Sequence, residues 1–355
     1  MSKYVYGIDL GTTNSRIARL NENGIPEVLK NSEGANSTPS VVFFDGKEIV
    51  VGRVAKYNTV LEPENTVSLV KTLMGKSDIA ITYKGRNITP SEISGYILKK
   101  VALDASEQTG DEVKDVIITV PAFFGATERD ATVFAGELAG LNVLSTINDT
   151  FAAAIYYGFT NPTEEKNILL YILGGGTFEV TVIKVESGKI EAVCSDGCPD
   201  LGGKDWDKKI ENYLLKEFRE LSGFNGELDP ADLQDLALKA EKAKRELTHS
   251  DSTNIPMAFS GYRAIVELTR EKFEELTAEL LDLTITITDS AIEKANKKGV
   301  IVDQIILVGG STYMPQISTI LKSKYGIDPL ISEPNEAVAK GAAIYATDVC
   351  IKRTG

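Results

Sequence analysis

Tyr6-Gly7-Ile8-Asp9-Leu10-Gly11-Thr12-Thr13-Asn14-Ser15-Arg16-Ile17-Ala18 and, far downstream, Leu169-Leu170-Tyr171-Ile172-Leu173-Gly174-Gly175-Gly176-Thr177-Phe178-Glu179-Val180-Thr181-Val182 are two copies of one pattern. Each is an apolar strand, a tight Gly/Thr turn and a second strand with alternating polarity. When Leu10-Gly11 is laid on Leu173-Gly174, Asp9 falls opposite Ile172, so the second copy has lost a carboxylate. Backbone N–H groups in such turns bind phosphate oxygens, and glycine lets the backbone come close. Two copies therefore predict a two-lobed nucleotide protein. Gly309-Gly310-Ser311, following the buried strand Ile305-Ile306-Leu307-Val308, offers a third turn.

Around these copies, strands alternate with helices. Thr89-Pro90-Ser91-Glu92 is a capping box that predicts a helix to about Glu107. Val116-Ile117-Ile118-Thr119-Val120 reads as a strand buried on both faces and ended by Pro121. Helices follow over 126–139 and 152–157. The second half repeats the plan, with strands at 168–172, 179–185 and 190–195 and a helix from Gly202-Gly203 to about Leu221. Asp229-Pro230 starts another helix, 270–297 is helical, and Pro334-Asn335-Glu336-Ala337 opens the last one. The fold class is α/β, with mixed sheets flanked by helices and a central cleft.

Bulk properties exclude several functions. With 355 residues, 43% of them hydrophobic, the chain can bury the cores of two or three domains. A net charge of −13 and a pI near 4.8 oppose nucleic-acid binding. No apolar stretch approaches the roughly 18 residues of a membrane span, and Met1-Ser2-Lys3 leads straight into a strand rather than a signal peptide. Cys194, Cys198 and Cys350 form no disulfide framework and read as reduced cytoplasmic thiols. His249 is the single histidine, which removes Ser-His-Asp hydrolysis and His-rich metal sites. Acid–base work falls to carboxylates, lysine or water.

With these motifs in order, the chain resembles the nucleotide-binding domain of heat-shock 70 chaperones, in the actin–hexokinase superfamily. The resemblance rests on 9–15, 173–178 and 309–312, and also on Val120-Pro121-Ala122-Phe123-Phe124, Glu241 to Leu247 and Asn335-Glu336-Ala337-Val338-Ala339. It implies a two-lobed actin-like ATPase fold, built of duplicated ribonuclease H-like sheets around a nucleotide cleft. Lobe I would span 1–160, with a reduced outer subdomain at about 38–90; lobe II would span 161–355, with its outer subdomain at about 202–277.

The resemblance also assigns roles. Asp9 would hold Mg²⁺ through water, which suits a hard cation that dehydrates reluctantly. Gly11, Thr12, Thr13, Gly174, Gly175, Gly176 and Thr177 would grip the phosphates of ATP or ADP. On bare sequence Lys71 reads first as a surface lysine with a buried stem; the resemblance matches it to the family's catalytic lysine at the γ-phosphate. Asp149 takes a glutamate position and is one methylene shorter, while Glu179 takes an aspartate position and is one longer. Pro121 and Arg129 match residues that relay nucleotide state. On the adenosine side, Glu241, Lys244, Arg245 and Thr248 fall at i, i+3, i+4 and i+7 and so share a helical stripe. From spacing alone that stripe is a solvated face; the resemblance turns it toward ribose and adenine. Gly309, Gly310 and Ser311 complete the site, with Tyr313 in place of an arginine and Asn335 in place of an aspartate.

Two departures limit the expectation. Ile172 replaces a family aspartate that organises Mg²⁺, K⁺ and the attacking water, so hydrolysis should be impaired while binding survives. Between Lys71 and Pro121 the chain is roughly 25 residues shorter than the usual member, within the latitude of loops. After the last helix the sequence stops at Gly355, without the family's peptide-binding domain. The resemblance implies a cytoplasmic monomer served by a J-domain co-chaperone and a nucleotide exchange factor. The alternatives are a non-hydrolysing nucleotide-sensing switch and, against the adenosine motifs, an actin-like filament protein or a sugar kinase.

Overall fold

The computed structural model describes residues 4–76, 79–161, 165–186, 189–331 and 333–354. Met1–Lys3, which the sequence reading placed ahead of the first strand, and Gly355 lie outside them. The duplication is visible in topology as well as sequence. In the first sheet, Tyr6–Asp9, Asn14–Leu20 and Pro26–Val28 form an antiparallel meander. Asp115–Val120 and then Asn142–Asn148 extend it in parallel on the other side of Tyr6–Asp9. In the second sheet, Lys166–Leu173, Phe178–Glu186 and Lys189–Cys198 form the meander. Gln304–Val308 and Leu330–Ile331 extend that one in parallel, again beside the first strand. Three antiparallel strands plus two parallel ones, in one order, occur twice.

Helices are set by local chemistry where the sequence predicted them. The Thr89 hydroxyl accepts the Glu92 N–H while the Glu92 carboxylate accepts the Thr89 N–H at 2.9 Å, opening the helix Pro90–Thr109. Gly110, at φ 68°, ends it in the left-handed conformation. Asp229 caps Pro230–Glu246 through the Asp232 N–H at 2.8 Å. The helix predicted over 152–157 runs Asp149–Thr160, and the one after Pro334 runs Ala337–Thr354.

Those last two helices join the lobes. Ala337–Thr354 packs on Tyr6–Asp9 and Asn14–Leu20 of the first sheet, although it follows the strands of the second in sequence. It also crosses Asp149–Thr160 with almost no side chain between them: a Cβ on Gly341 would stand 1.7 Å from the Ala152 carbonyl oxygen. Gly7 meets the same helix, where a Cβ would lie 2.2 Å from the Ala343 nitrogen. The apolar layer there includes Ile117, Ile147, Ile168, Leu170, Ile172 and Val308. This two-lobed arrangement is the one the duplicated hairpin predicts, and its actin-like form is the one the resemblance implies.

Each lobe carries an outer part. In the first, Val42–Asp45, Glu48–Val51 and Thr66–Val67 form a small sheet beside the helix Arg53–Leu61. In the second, the hairpin Ser252–Phe259/Tyr262–Thr269 sits with helices Gly203–Ser222 and Pro230–Glu246. The helices Arg53–Leu61 and Pro230–Glu246 pack against each other, so these two outer parts touch. Among the described residues, no helix is long and apolar enough to cross a membrane.

Candidate functional site

The two glycine turns meet. A Cβ on Gly175 would come within 1.9 Å of the Thr13 hydroxyl, and one on Gly176 within 2.7 Å of the Thr12 methyl. Only glycine allows the turns to face each other this closely. The second turn is closed by the Gly174 N–H donating to Thr177 O at 3.0 Å. Ser40 fixes the first turn: its N–H donates to Thr13 O at 2.9 Å and its hydroxyl to Gly11 O at 2.8 Å.

Gly174 is also a junction. Its carbonyl accepts the Gly203 N–H at 2.9 Å, which seats the N-terminus of the helix Gly203–Ser222 on the turn. The same oxygen accepts the Ser311 hydroxyl at 2.9 Å, which ties in the Gly309–Tyr313 turn. A Cβ on Gly202 would meet Gly176 N at 2.4 Å. Three motifs widely separated in sequence thus converge on one backbone, built of glycine turns of the kind that binds anionic oxygens.

The charged residues gather below the turns. Lys71 is 7% exposed and its ammonium lies 3.3 Å from Asp149 Oδ2. Asp149 opens the helix Asp149–Thr160, so it is held rigidly. Glu179 is buried and accepts the Ala122 N–H at 3.1 Å through Oε1. Burial first, then the charge of Asp149, pushes the Glu179 carboxyl up to about 8, against Lys71 and the Ala122 N–H. Asp9 is pushed up to about 6 by burial and by Asp149, against the pull of Arg16 and Lys71. Arg16 Nη1 stands 3.7 Å from Asp9 Oδ2 across the first hairpin.

Two buried oxygens here, Asp149 Oδ1 and Glu179 Oε2, find no hydrogen-bond partner among the described residues. Buried carboxylate oxygens without partners are costly and suit a site that a cation or polarised water completes. Among the described residues, no three acidic, histidine or cysteine side chains stand close enough to cage a metal directly. That donor set fits a hydrated Mg²⁺ held through its waters and through phosphate, the coordination this ion favours.

Ile172 is 8% exposed and sits in the apolar layer, paired with Glu179 on one side and Val308 on the other. The segment predicted to relay nucleotide state adjoins Glu179 directly. Pro121 ends the strand Asp115–Val120, the next residue donates to Glu179, and Arg129 bonds Phe124 O at 2.9 Å and Asn148 Oδ1 at 2.7 Å.

Where the resemblance places adenosine, the structure rearranges the predicted stripe. Lys244 is buried, donating to Gly203 O at 2.9 Å and pairing with Asp207 Oδ1 at 2.7 Å. Burial pushes Asp207 up to about 6 despite that lysine. Glu241 pairs with Lys56, and against burial the charges of Lys56, Lys244 and Arg245 together hold its carboxyl below the usual range. Arg245 is exposed on the same helix. Thr248 lies just past the helix end at Glu246, its hydroxyl turned to Arg245 O at 2.7 Å, so the stripe stops one step short of it. Tyr313 is 41% exposed at the end of its turn, and Asn335 Oδ1 sits 3.0 Å from where a Cβ on Gly310 would be.

Sequence reading missed Arg16, Ser40, Lys56 and Asp207. Arg16 was findable, because Asp9 and Arg16 flank a tight turn and so pair across it. Asp207 carried a weaker signal, a carboxylate on the Trp206/Ile210 side of an amphipathic helix. Lys56 carried none.

The family model described as Hsp70 protein matches residues 5–80 and 75–350. The chain is 42% identical over 352 residues to the chaperone protein DnaK of Thermosipho africanus and 41% identical over 353 residues to that of Thermotoga neapolitana. Each match covers 97% of this chain and 59% of the relative, so the chain spans well under two thirds of those proteins' length.

Proposed function

The chain belongs to the Hsp70 family, and from that premise we propose that it binds Mg-ATP in the cleft between its lobes and acts as the nucleotide-driven ATPase part of a chaperone. The observation that carries this reading is the contact of the Thr12-Thr13 and Gly175-Gly176 turns, with Ser311 and Gly203 joined to them through the Gly174 carbonyl. A triphosphate lies along these turns, ribose faces Glu241 and Lys244, and adenine lies between Arg245 and the Gly309–Tyr313 turn beside Asn335.

Asp9 would hold Mg²⁺ through water, and the ion would supply charge neutralisation at the phosphates. Hydrolysis forms a bond from water oxygen to the γ-phosphorus as the bond to the β–γ bridging oxygen breaks. ADP leaves with that electron pair. Lys71 orients the γ-phosphate and water, Thr177 donates to phosphate, and Asp149 Oδ1 faces the water's proton. Glu179 is fixed behind this pair by the Ala122 N–H, which donates to its Oε1. Catalysis by positioning and fixed charges is what phosphoryl transfer needs.

Ile172 favours a second reading, a switch that closes on ATP and turns it over slowly or not at all. Binding alone biases a hinge when ATP prefers the closed form. Control of a peptide-binding domain, service by a J-domain co-chaperone and an exchange factor, a monomeric state and a cytoplasmic location all belong to this proposal. Calorimetric titration with Mg-ATP tests it: saturable binding is expected, and its absence overturns the reading. Sedimentation with ATP that yields polymer would favour a filament protein instead.

A further inference from the structure

The adenine-side turn rests on Tyr156, Glu333 and Lys340, to which the sequence analysis gives no role, together with Glu336. Glu333 takes a left-handed backbone conformation, φ 44°, uncommon for a residue with a side chain. It begins a short turn in which the Glu336 N–H donates to Glu333 O at 2.8 Å, and the Ala337 N–H to the same oxygen at 3.0 Å. One residue on, the Pro334 carbonyl accepts the Gly309 N–H at 2.7 Å. Glu333 Oε2 accepts the Tyr156 hydroxyl at 2.6 Å and pairs with the Lys340 ammonium. Lys340 also stands 3.0 Å from Glu336 Oε2 and lies 5.4 Å from the centre of the Tyr156 ring. The other Glu336 oxygen accepts from Asn36 Nδ2 of the first lobe at 2.8 Å.

Lys340 and Tyr156 are both buried, one on each of the two crossing helices. The Lys340 ammonium is held by two carboxylates and an aromatic face, and although the Glu333 side chain is 48% exposed, these charge-assisted contacts bias the turn toward one arrangement. That turn supports Gly309 and sets Asn335 beside Gly310.

We infer that Lys340, with Tyr156, is a positioning residue for the nucleotide base, acting through the Glu333–Glu336 turn on the Gly309–Tyr313 backbone. It touches no nucleotide itself. It joins the crossing helices to the adenine side of the cleft, and through Glu336 and Asn36 to the first lobe. The role rests on the ATP-binding reading above, whereas the lock exists without nucleotide.

The test therefore has one arm for each. In the nucleotide-free protein, amide hydrogen exchange at Gly309 should speed up about tenfold in Lys340→Met, the loss expected for a charge-assisted contact, while Gly174 keeps its protection. Lys340→Arg should restore it, and Tyr156→Phe, a milder change, should act in the same direction. ATP affinity should fall about tenfold in Lys340→Met and return in Lys340→Arg. Unchanged exchange at Gly309 overturns the lock, and so does equal acceleration at Gly309 and Gly174, which would mark a general loss of structure. Faster exchange with unchanged ATP affinity overturns the positioning role alone. A wild-type protein that does not bind ATP overturns the proposed function and the positioning role with it, while the exchange result still decides the lock.

Discussion

Glu179 stands directly across the second hairpin from Ile172, in the register position that Arg16 holds opposite Asp9 in the first. Opposed residues in an antiparallel pair share a face, so the carboxylate absent at Ile172 has another as its nearest cross-strand neighbour. The first hairpin presents an acid beside a base, the second an acid beside a hydrocarbon. This difference places a carboxylate near Lys71 and Asp149 without a compensating charge on its own hairpin.

Restoring the carboxylate should raise turnover. In Ile172→Asp, single-turnover hydrolysis of Mg-ATP is expected to be about tenfold faster or more, because a fixed charge near the reacting phosphate is worth that much. Stability should fall by about 2 kcal/mol, since a polar group replaces a buried apolar one. Equal rates in the two proteins would refute any part for this position in catalysis.

The Glu179 carboxyl gives a pH signature. Its folded value of about 8 lies above the ordinary 4.5, so between these limits the folded state keeps a proton that the unfolded state has released. Stability from this group therefore falls as pH rises from 4.5 to 8, at up to about 1.4 kcal/mol per pH unit. Glu179→Gln abolishes that slope. Its melting temperature, relative to the parent protein, should rise steadily from pH 5 to pH 8; a constant gap across that range would show that the group is not held protonated.

Lys71 is expected to serve chemistry more than binding. Lys71→Met should slow single-turnover hydrolysis by about 100-fold. Leaving Asp149 without its cation should also cost about 3 kcal/mol of stability. ATP affinity, measured by titration, should change by less than about tenfold. A loss of binding as large as the loss of rate would make the lysine a ligand for the ground state.

Gly341 is where the crossing helices leave least room. A methyl group there overlaps the Ala152 carbonyl, which is backbone and cannot swing aside. Gly341→Ala should therefore destabilise by about 3 kcal/mol, read from denaturant unfolding. A change below about 0.5 kcal/mol would mean that the helices separate easily.

Much of this was written in the chain. The hairpins at 6–20 and 166–186 were legible because apolar strand, Gly/Thr turn and alternating strand are local patterns, and local patterns depend only on neighbouring residues. Helices opening at Thr89 and Asp229 were legible from capping chemistry. The duplicated motif determined that there would be two lobes, and the mismatch at Ile172 was visible in the sequence itself.

The contacts between distant segments were decided by the tertiary structure. No spacing rule brings Lys56 to Glu241, Asp207 to Lys244, or Lys340 and Tyr156 to Glu333. Thr248 shows the reverse error: helical spacing extended the stripe to a residue the helix does not reach. The sequence alone determined the turns able to grip phosphate and the strand that lost its acid. Only the fold decided that the turns would touch, that Glu179 would be buried beside Ile172, and that Lys71 would find Asp149. The physical reason is that periodicity and capping act over a few residues, whereas ion pairs and close backbone approaches depend on how whole sheets and helices pack.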